Sequence, residues 1–152
     1  MMSSRECAAL SSASRASFEV LSVKPIQIVH APQLPPPGGH YSHALIHNEL
    51  VYVSGQLGRG PGMSDAQAGD IRIQARRALN AIDVLLRAAG SSLPRLLKVT
   101  VYVPDVLLWP VVNEEYAHFM GEHRPARAVV PTSALHYGAL VEIDAVAALL
   151  NE

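Results

Sequence analysis

Charge is scarce in this chain of 152 residues. Asp, Glu, Lys and Arg make up 16% of it, against a usual ~25%. Lysine occurs only as Lys24 and Lys98, and 12 Lys+Arg against 13 Asp+Glu leave a net charge of -1. Nothing here forms the polycation that grips a phosphate backbone, so nucleic acid is not an expected partner. Cysteine occurs once, as Cys7, which removes any disulfide framework and any Cys-based zinc site within one chain. No apolar run approaches the ~20 residues of a membrane-spanning helix, and a reducing, soluble compartment, the cytoplasm, is expected. Glycine loops of Walker or Rossmann type, a Gly-x-Ser-x-Gly elbow and a His-Glu-x-x-His pair are all missing. Neither a cofactor nor a metal is expected.

What is present is apolar. Hydrophobic residues make up 49% of the chain, enough to offset the ordering entropy of a fold. The length suits one domain, and the shortage of charge hints at an oligomer. Residues 1–22, rich in Ser and Ala, are expected to form a flexible extension, with one domain over residues 23–152. Within it, 26–29 reads as a short strand, and Pro32, Pro35, Pro36, Pro37, Gly38 and Gly39 as a stiff connector. Residues 44–47 and 50–55 read as strands around a two-residue turn, Asn48-Glu49. Gly58 to Gly69 reads as loop.

Asp70 then caps a helix whose apolar residues fall at 71, 75, 78, 79, 82, 85, 86 and 89, with Gly90 just past its end. Arg72, Arg76 and Arg77 read as its solvated face. A β-branched strand over 96–103 follows, closed by Pro104. Pro110 opens a second helix, with Val112, Tyr116, Phe119 and Met120 on one face and Gly121 at its end. Strands over 127–133 and 140–146, joined across His136-Tyr-Gly138, complete a βββαβαββ order. The expected class is α+β, with helices packed on one face of the sheet.

Chemistry must come from few side chains. His40, His43 and His47 are close in sequence, but on an extended chain His40 points away from the other two. No carboxylate or thiolate completes a metal set beside them. Ser54 lacks a partner placed by sequence to activate it. Arg127 and Glu142 are the better signal, because each interrupts an otherwise apolar strand and a buried charge is costly unless paired or used. An ion pair between neighbouring strands fits them. So does a carboxylate-gripping Arg with a Glu that polarises water, enough to hydrolyse an activated small carboxylic acid.

Seven segments occur in order: Tyr41-Ser42, Val53-Ser-Gly-Gln56, Ala88-Ala-Gly90-Ser91-Ser92, Lys98-Val-Thr-Val-Tyr102, Val112-Asn-Glu-Glu-Tyr116, Arg124-Pro-Ala-Arg127 and Leu140-Val-Glu-Ile-Asp-Ala-Val146. Together they resemble the YjgF/RidA family, also labelled endoribonuclease L-PSP, from about residue 25 to the end. The resemblance implies a chorismate-mutase-like α+β fold, a homotrimer with a central barrel, and active sites between subunits. It implies hydrolytic deamination of small reactive 2-imino or enamine acids to 2-keto acids and ammonia, without metal or cofactor. Arg127 matches the arginine that binds the substrate carboxylate, and Glu142 the glutamate that positions the attacking water. Tyr41, Ser54, Gly55 and Asn113 match residues that line or brace the pocket. This chain departs from the family pattern twice. Ala128-Val129 follows Arg127 where Ser and then Cys or Thr are usual, leaving Val129 its backbone carbonyl in a more apolar pocket. Leu135-His136 replaces Leu-Pro and puts a titratable ring near the cleft mouth. The alternatives are a trimer that binds small metabolites without catalysis, a deaminase of another carboxylated imine of the aminomuconate type, and a ribonuclease or translation inhibitor.

Overall fold

The computed structural model describes residues 24–150. The expected extension over residues 1–22 and Cys7 lie outside the described residues. Six strands form one mixed sheet: β1 (Gln27–Ile28), β2 (Ala44–His47), β3 (Leu50–Leu57), β4 (Leu96–Val103), β5 (Ala126–Pro131) and β6 (Glu142–Ala148). Their spatial order is β1-β2-β3-β6-β4-β5, antiparallel except for the parallel pair β4 and β5. Asn48 and Glu49 take φ of 46° and 70°, the paired left-handed conformation of a type I′ hairpin turn. This turn sets the register of β2 on β3, with Leu45 opposite Tyr52.

Helix α2 (Ile71–Ala88) lies where its 3.6-residue stripe predicts, and the Asp70 side chain accepts the Ile73 N–H at 3.0 Å. Its buried Ala75, Ala78, Leu79, Ile82, Leu85 and Leu86 pack on alternate strand residues. Those are Val51 and Val53 of β3, Val99 and Val101 of β4, and Ile143 and Ala145 of β6. Helix α3 (Trp109–Met120) carries Pro110 in its first turn and buries Val112, Tyr116 and Met120. The opposite sheet face carries Tyr52, Thr100, Tyr102, Asp144 and Val146, half-buried or exposed.

The expected class, α+β with a mixed sheet and helices, is what the chain adopts. Several expectations need correction. The loop after Gly58 contains a one-turn helix, α1 (Asp65–Ala68), created by a capping box between Ser64 and Gln67. The strand read as 140–146 begins at Glu142, because the Leu140 N–H is taken by the Gln74 side chain at 2.9 Å. The strand read as 127–133 runs from Ala126 to Pro131, and β1 is two residues where four were expected. The arginines of α2 lie on a partly solvated face, as expected, but Arg72, Arg76 and Arg77 also make bonds that the sequence did not show. Glu115 of α3, 5% exposed, accepts from Arg76 Nε at 2.6 Å and Arg72 Nη1 at 2.9 Å. Arg77 donates to the carbonyls of Gly58, Ala68 and Gln67. These bonds tie α2 to α3 and to the preceding loop, and they pair Arg72 and Arg76 with carboxylates.

Candidate active site

Glu142 opens β6, opposite Leu57 of β3 and Tyr102 of β4. It therefore lies on the sheet face away from the helices. Beside it, β3 bulges. Val53 pairs with Ala145 but Gln56 pairs with Ile143, so Ser54-Gly55 carries one residue more than β6 opposite it. The bulge lets β3 run on to Leu57 rather than stop at the expected Gly55. The Ser54 carbonyl freed by this irregularity accepts from Gln56 Nε2 at 2.9 Å. The bulge also opens space over Gly55 that the Glu142 side chain fills. A Cβ on Gly55 would overlap Glu142 Oε1 and come within 2.8 Å of its Cδ.

Among the described residues Glu142 enters no ion pair. Burial raises its pKa above the ordinary carboxylate value, with His136 opposing the shift and Asp144 adding to it. The carboxylate lines a cleft of about 450 Å³ with Tyr41, Ser54, Gly55, His136 and Tyr137. It also lines a smaller one of about 340 Å³ with His136, Tyr102 and Asp144. Tyr102 donates its hydroxyl to Asp144 at 2.8 Å. Ser54 Oγ donates to the Ser42 carbonyl at 2.7 Å, which makes it a brace. The Tyr41 ring stands edge-on to His43, whose Nε2 bonds the Pro35 carbonyl at 2.9 Å.

Arg127 occupies a different cleft, of about 550 Å³, with Asn113, Tyr116, His123 and Arg124. It donates from Nη2 to Asn113 Oδ1 at 2.8 Å and stacks its guanidinium 4.5 Å above the Tyr116 ring. Asn113 and Tyr116 are three apart on α3, hence on one helix face. Tyr116 is 7% exposed, and its hydroxyl has no partner. The guanidinium is thus oriented on two sides while most of its N–H groups remain free for a carboxylate.

Five of the sequence-derived residues (Tyr41, Ser54, Gly55, His136 and Glu142) come together. Asn113 joins Arg127 instead, and Val129 packs against the core and lines neither cleft. Arg127 and Glu142 do not meet within one chain. Arg127 is in register with Val99 and, through it, Ala145, so it sits on the helix side of the sheet. Two inter-strand spacings and three residues separate it from Glu142, about 14 Å by strand spacing and rise. An ion pair between neighbouring strands is thereby excluded in this chain, since β4 lies between β5 and β6. Tyr137, Asp144 and the Tyr116 stack escaped the sequence reading. The spacing of Asn113 and Tyr116 on a helix would have signalled the last of these. Among the described residues no three His, Cys, Asp or Glu cluster as metal ligands. No helix there is long and apolar enough to cross a membrane.

Residues 31–149 match the family described as Endoribonuclease L-PSP. The chain belongs to the endoribonuclease L-PSP (YjgF/RidA) family. Within it, the chain is 37% identical over 121 residues to a RutC family protein of Pyrococcus horikoshii, covering 80% of this chain and 96% of that one. It is 32% identical to the 2-iminobutanoate/2-iminopropanoate deaminase of Homo sapiens, over 80% of this chain and 88% of the human one. The crystal structure of E. coli TdcF with bound serine superimposes with a TM-score of 0.74 at 28% identity, covering 82% of this chain and 99% of that one. The family resemblance read from the seven segments is therefore borne out.

Proposed function

We propose that this L-PSP family member is a hydrolytic deaminase of small reactive 2-imino or enamine acids, releasing a 2-keto acid and ammonia. The observation that carries the proposal is the Glu142 carboxylate, unpaired, partly desolvated and seated on Gly55 in an open cleft. Burial raises its pKa, which makes it a stronger base toward water than an exposed carboxylate. Arg127, oriented by Asn113 and Tyr116, anchors the substrate carboxylate. The mammalian relatives named as 2-iminobutanoate/2-iminopropanoate deaminases support the same substrate class.

The reaction needs both clefts, and one chain keeps them apart. We therefore assign the working form as a homotrimer in which one copy's Arg127 cleft faces the Glu142 cleft of its neighbour. The sheet face bearing Tyr52 and Val146, free of helices, and the low charge content support assembly. A bound imino acid then has its carboxylate on Arg127 and its C=N carbon beside a water held by Glu142. Water adds to that carbon, and the carbinolamine expels ammonia. No step calls for a metal or an organic cofactor. A ribonuclease reading is disfavoured because Arg72 and Arg76 are paired with Glu114 and Glu115 and Arg77 is bonded to carbonyls, leaving little uncompensated basic surface. The second reading is a small-metabolite-binding trimer. It is favoured by the relative TdcF, whose structure holds serine, a stable amino acid.

The test is release of ammonia and keto acid from freshly generated 2-iminobutyrate and 2-iminopropionate by wild type and Arg127→Ala. Loss of a desolvated Arg–carboxylate contact costs about 2–5 kcal/mol, or roughly 30-fold and upward in kcat/KM. Acceleration by wild type that collapses in the variant supports the proposal. Rates equal to the enzyme-free reaction refute it for these substrates and favour the binding trimer or an imine of the aminomuconate type.

A further inference from the structure

We propose that His136 is the second catalytic residue of this site, exchanging protons with substrate opposite to Glu142 in each half of the reaction. This rests on the deaminase reading above and adds a residue with its own signature to it. His136 and Glu142 form the wall shared by the two adjoining clefts, since both residues, with Gly55, line each of them. Their proximity is felt electrostatically, because His136 opposes the rise in the Glu142 pKa. No salt bridge joins them among the described residues, and both line open clefts that a reacting group can enter.

The backbone places His136 at the start of a tight turn. His136–Gly138 forms a 3-10 turn in which Tyr137 takes φ 58° and Gly138 φ 68°. Glycine takes that conformation freely, but a tyrosine in it is strained and the surroundings must enforce it. The turn is closed by the Ala139 N–H donating to the His136 carbonyl at 3.1 Å. The His136 ring rests on Tyr137 with centroids 6.1 Å apart. Several groups face it from the packed elements: Glu142 and Asp144 of β6, Tyr102 of β4, Tyr41 before β2, and Tyr137 of its own turn. Arg59, beside Gly138, is engaged by Asp65 at 2.8 Å. Two carboxylates therefore lie near the ring, while the nearest cation is paired elsewhere.

Hydration and ammonia loss each require one proton donor and one acceptor, and a single carboxylate cannot be both at once. In the first half the water oxygen bonds to the imine carbon and its proton passes to Glu142. The C=N π pair moves to nitrogen, which takes a proton from His136. This gives a neutral carbinolamine, a protonated Glu142 and a neutral His136. In the second half Glu142 returns its proton to nitrogen and His136 takes the hydroxyl proton. The C–N bond breaks with its pair on nitrogen, C=O forms, and ammonia leaves. Both side chains end as they began, and one water is consumed per ammonia. Imidazole is the side chain able to both give and take a proton near neutral pH.

The experiment compares pH profiles of kcat/KM, corrected for enzyme-free hydrolysis, for wild type, His136→Gln and Glu142→Gln on 2-iminobutyrate. Binding of the product 2-ketobutyrate is measured alongside. The wild type is expected to give a bell, with an acid limb set by Glu142 and an alkaline limb that depends on His136. His136→Gln is expected to lose the alkaline limb and about 100-fold or more in kcat, with ketobutyrate affinity changed less than about threefold. A wild-type enzyme that turns over while His136→Gln keeps the same rate and profile overturns this proposal and leaves the deaminase reading standing. Failure of the wild type to accelerate imine loss overturns both. His136 is exposed, so the variant's fold is expected to survive, as circular dichroism would check.

Discussion

Replacing Gly55 by alanine tests the site geometry with one methyl group. The added Cβ would overlap Glu142 Oε1 and lie 2.8 Å from Cδ and 3.0 Å from Cγ, against an ordinary contact of 3.4–4 Å. The carboxyl group must retreat by about 1 Å, a misplacement that costs about 100-fold in a positioned reaction, or about 2.7 kcal/mol of barrier. The backbone, by contrast, has no reason to suffer. Gly55 does not adopt positive φ, and what the methyl meets is a side chain reaching into an open cleft. Removing a glycine from an ordinary conformation can even stabilise by about 0.4–1 kcal/mol through the unfolded state. The expected phenotype is thus a dead or crippled enzyme that melts at or near the wild-type temperature. The assay is keto acid release from 2-iminobutyrate beside thermal unfolding followed by circular dichroism. Gly58→Ala is the contrast, since its methyl would meet the α2 backbone at the Gln74 carbonyl, 2.8 Å away, and should lower the melting temperature. A Gly55→Ala enzyme within threefold of wild-type kcat/KM would refute the placement of Glu142 as the reacting base.

Three further outcomes follow from particular contacts. Because burial raises the Glu142 pKa, its ionised form destabilises the fold; this cost is absent below the unfolded pKa and develops as pH rises through the folded one. Glu142→Gln should therefore unfold at higher denaturant than wild type at pH 7, with the gap closing toward pH 4, while losing about 100-fold or more in activity. Glu115 behaves oppositely: hydrogen bonds from Arg76 and then Arg72 lower its pKa to about 2. Its contribution is present above the ordinary carboxylate pKa and disappears as pH falls toward 2, so Glu115→Gln should flatten the stability profile between about pH 4.5 and 2. An unchanged acid profile would show that the α2–α3 latch carries no linked protonation. The unpartnered, buried Tyr116 hydroxyl predicts that Tyr116→Phe keeps or gains stability. A loss of activity in that variant at unchanged stability would reveal that the hydroxyl meets substrate or a second copy.

Local periodicity made much of this protein legible. The α2 stripe from Asp70 to Gly90, the Asn48-Glu49 hairpin and the β-branched run of β4 each depend on residues within one element. Near-neighbour chemistry suffices to specify them. The seven motif segments likewise carried the family, and they singled out Arg127 and Glu142, to which the proposed function gives the roles of anchor and base. Small elements were less legible: α1 arises from a capping box inside a glycine-rich loop, and the start of β6 depends on the side chain of Gln74, sixty-six residues away from Leu140.

Tertiary structure decided how those pieces meet. Nothing in the order of residues says that β6 inserts between β3 and β4, because strand neighbours are chosen by long-range burial. That insertion, with the period-two alternation of strand side chains, sends Arg127 and Glu142 to opposite faces of the sheet. It separates two side chains expected from the sequence on neighbouring strands. The bulge at Ser54-Gly55 is also a property of two paired strands rather than of one, and it creates the space over Gly55 that Glu142 occupies. The ion pairs of Arg72 and Arg76 were invisible in the sequence because their partners, Glu114 and Glu115, lie on another helix. Sequence determined which side chains are available for chemistry, through local pattern and family motif. Register and strand order, which depend on contacts across the whole chain, decided which of them share a cleft.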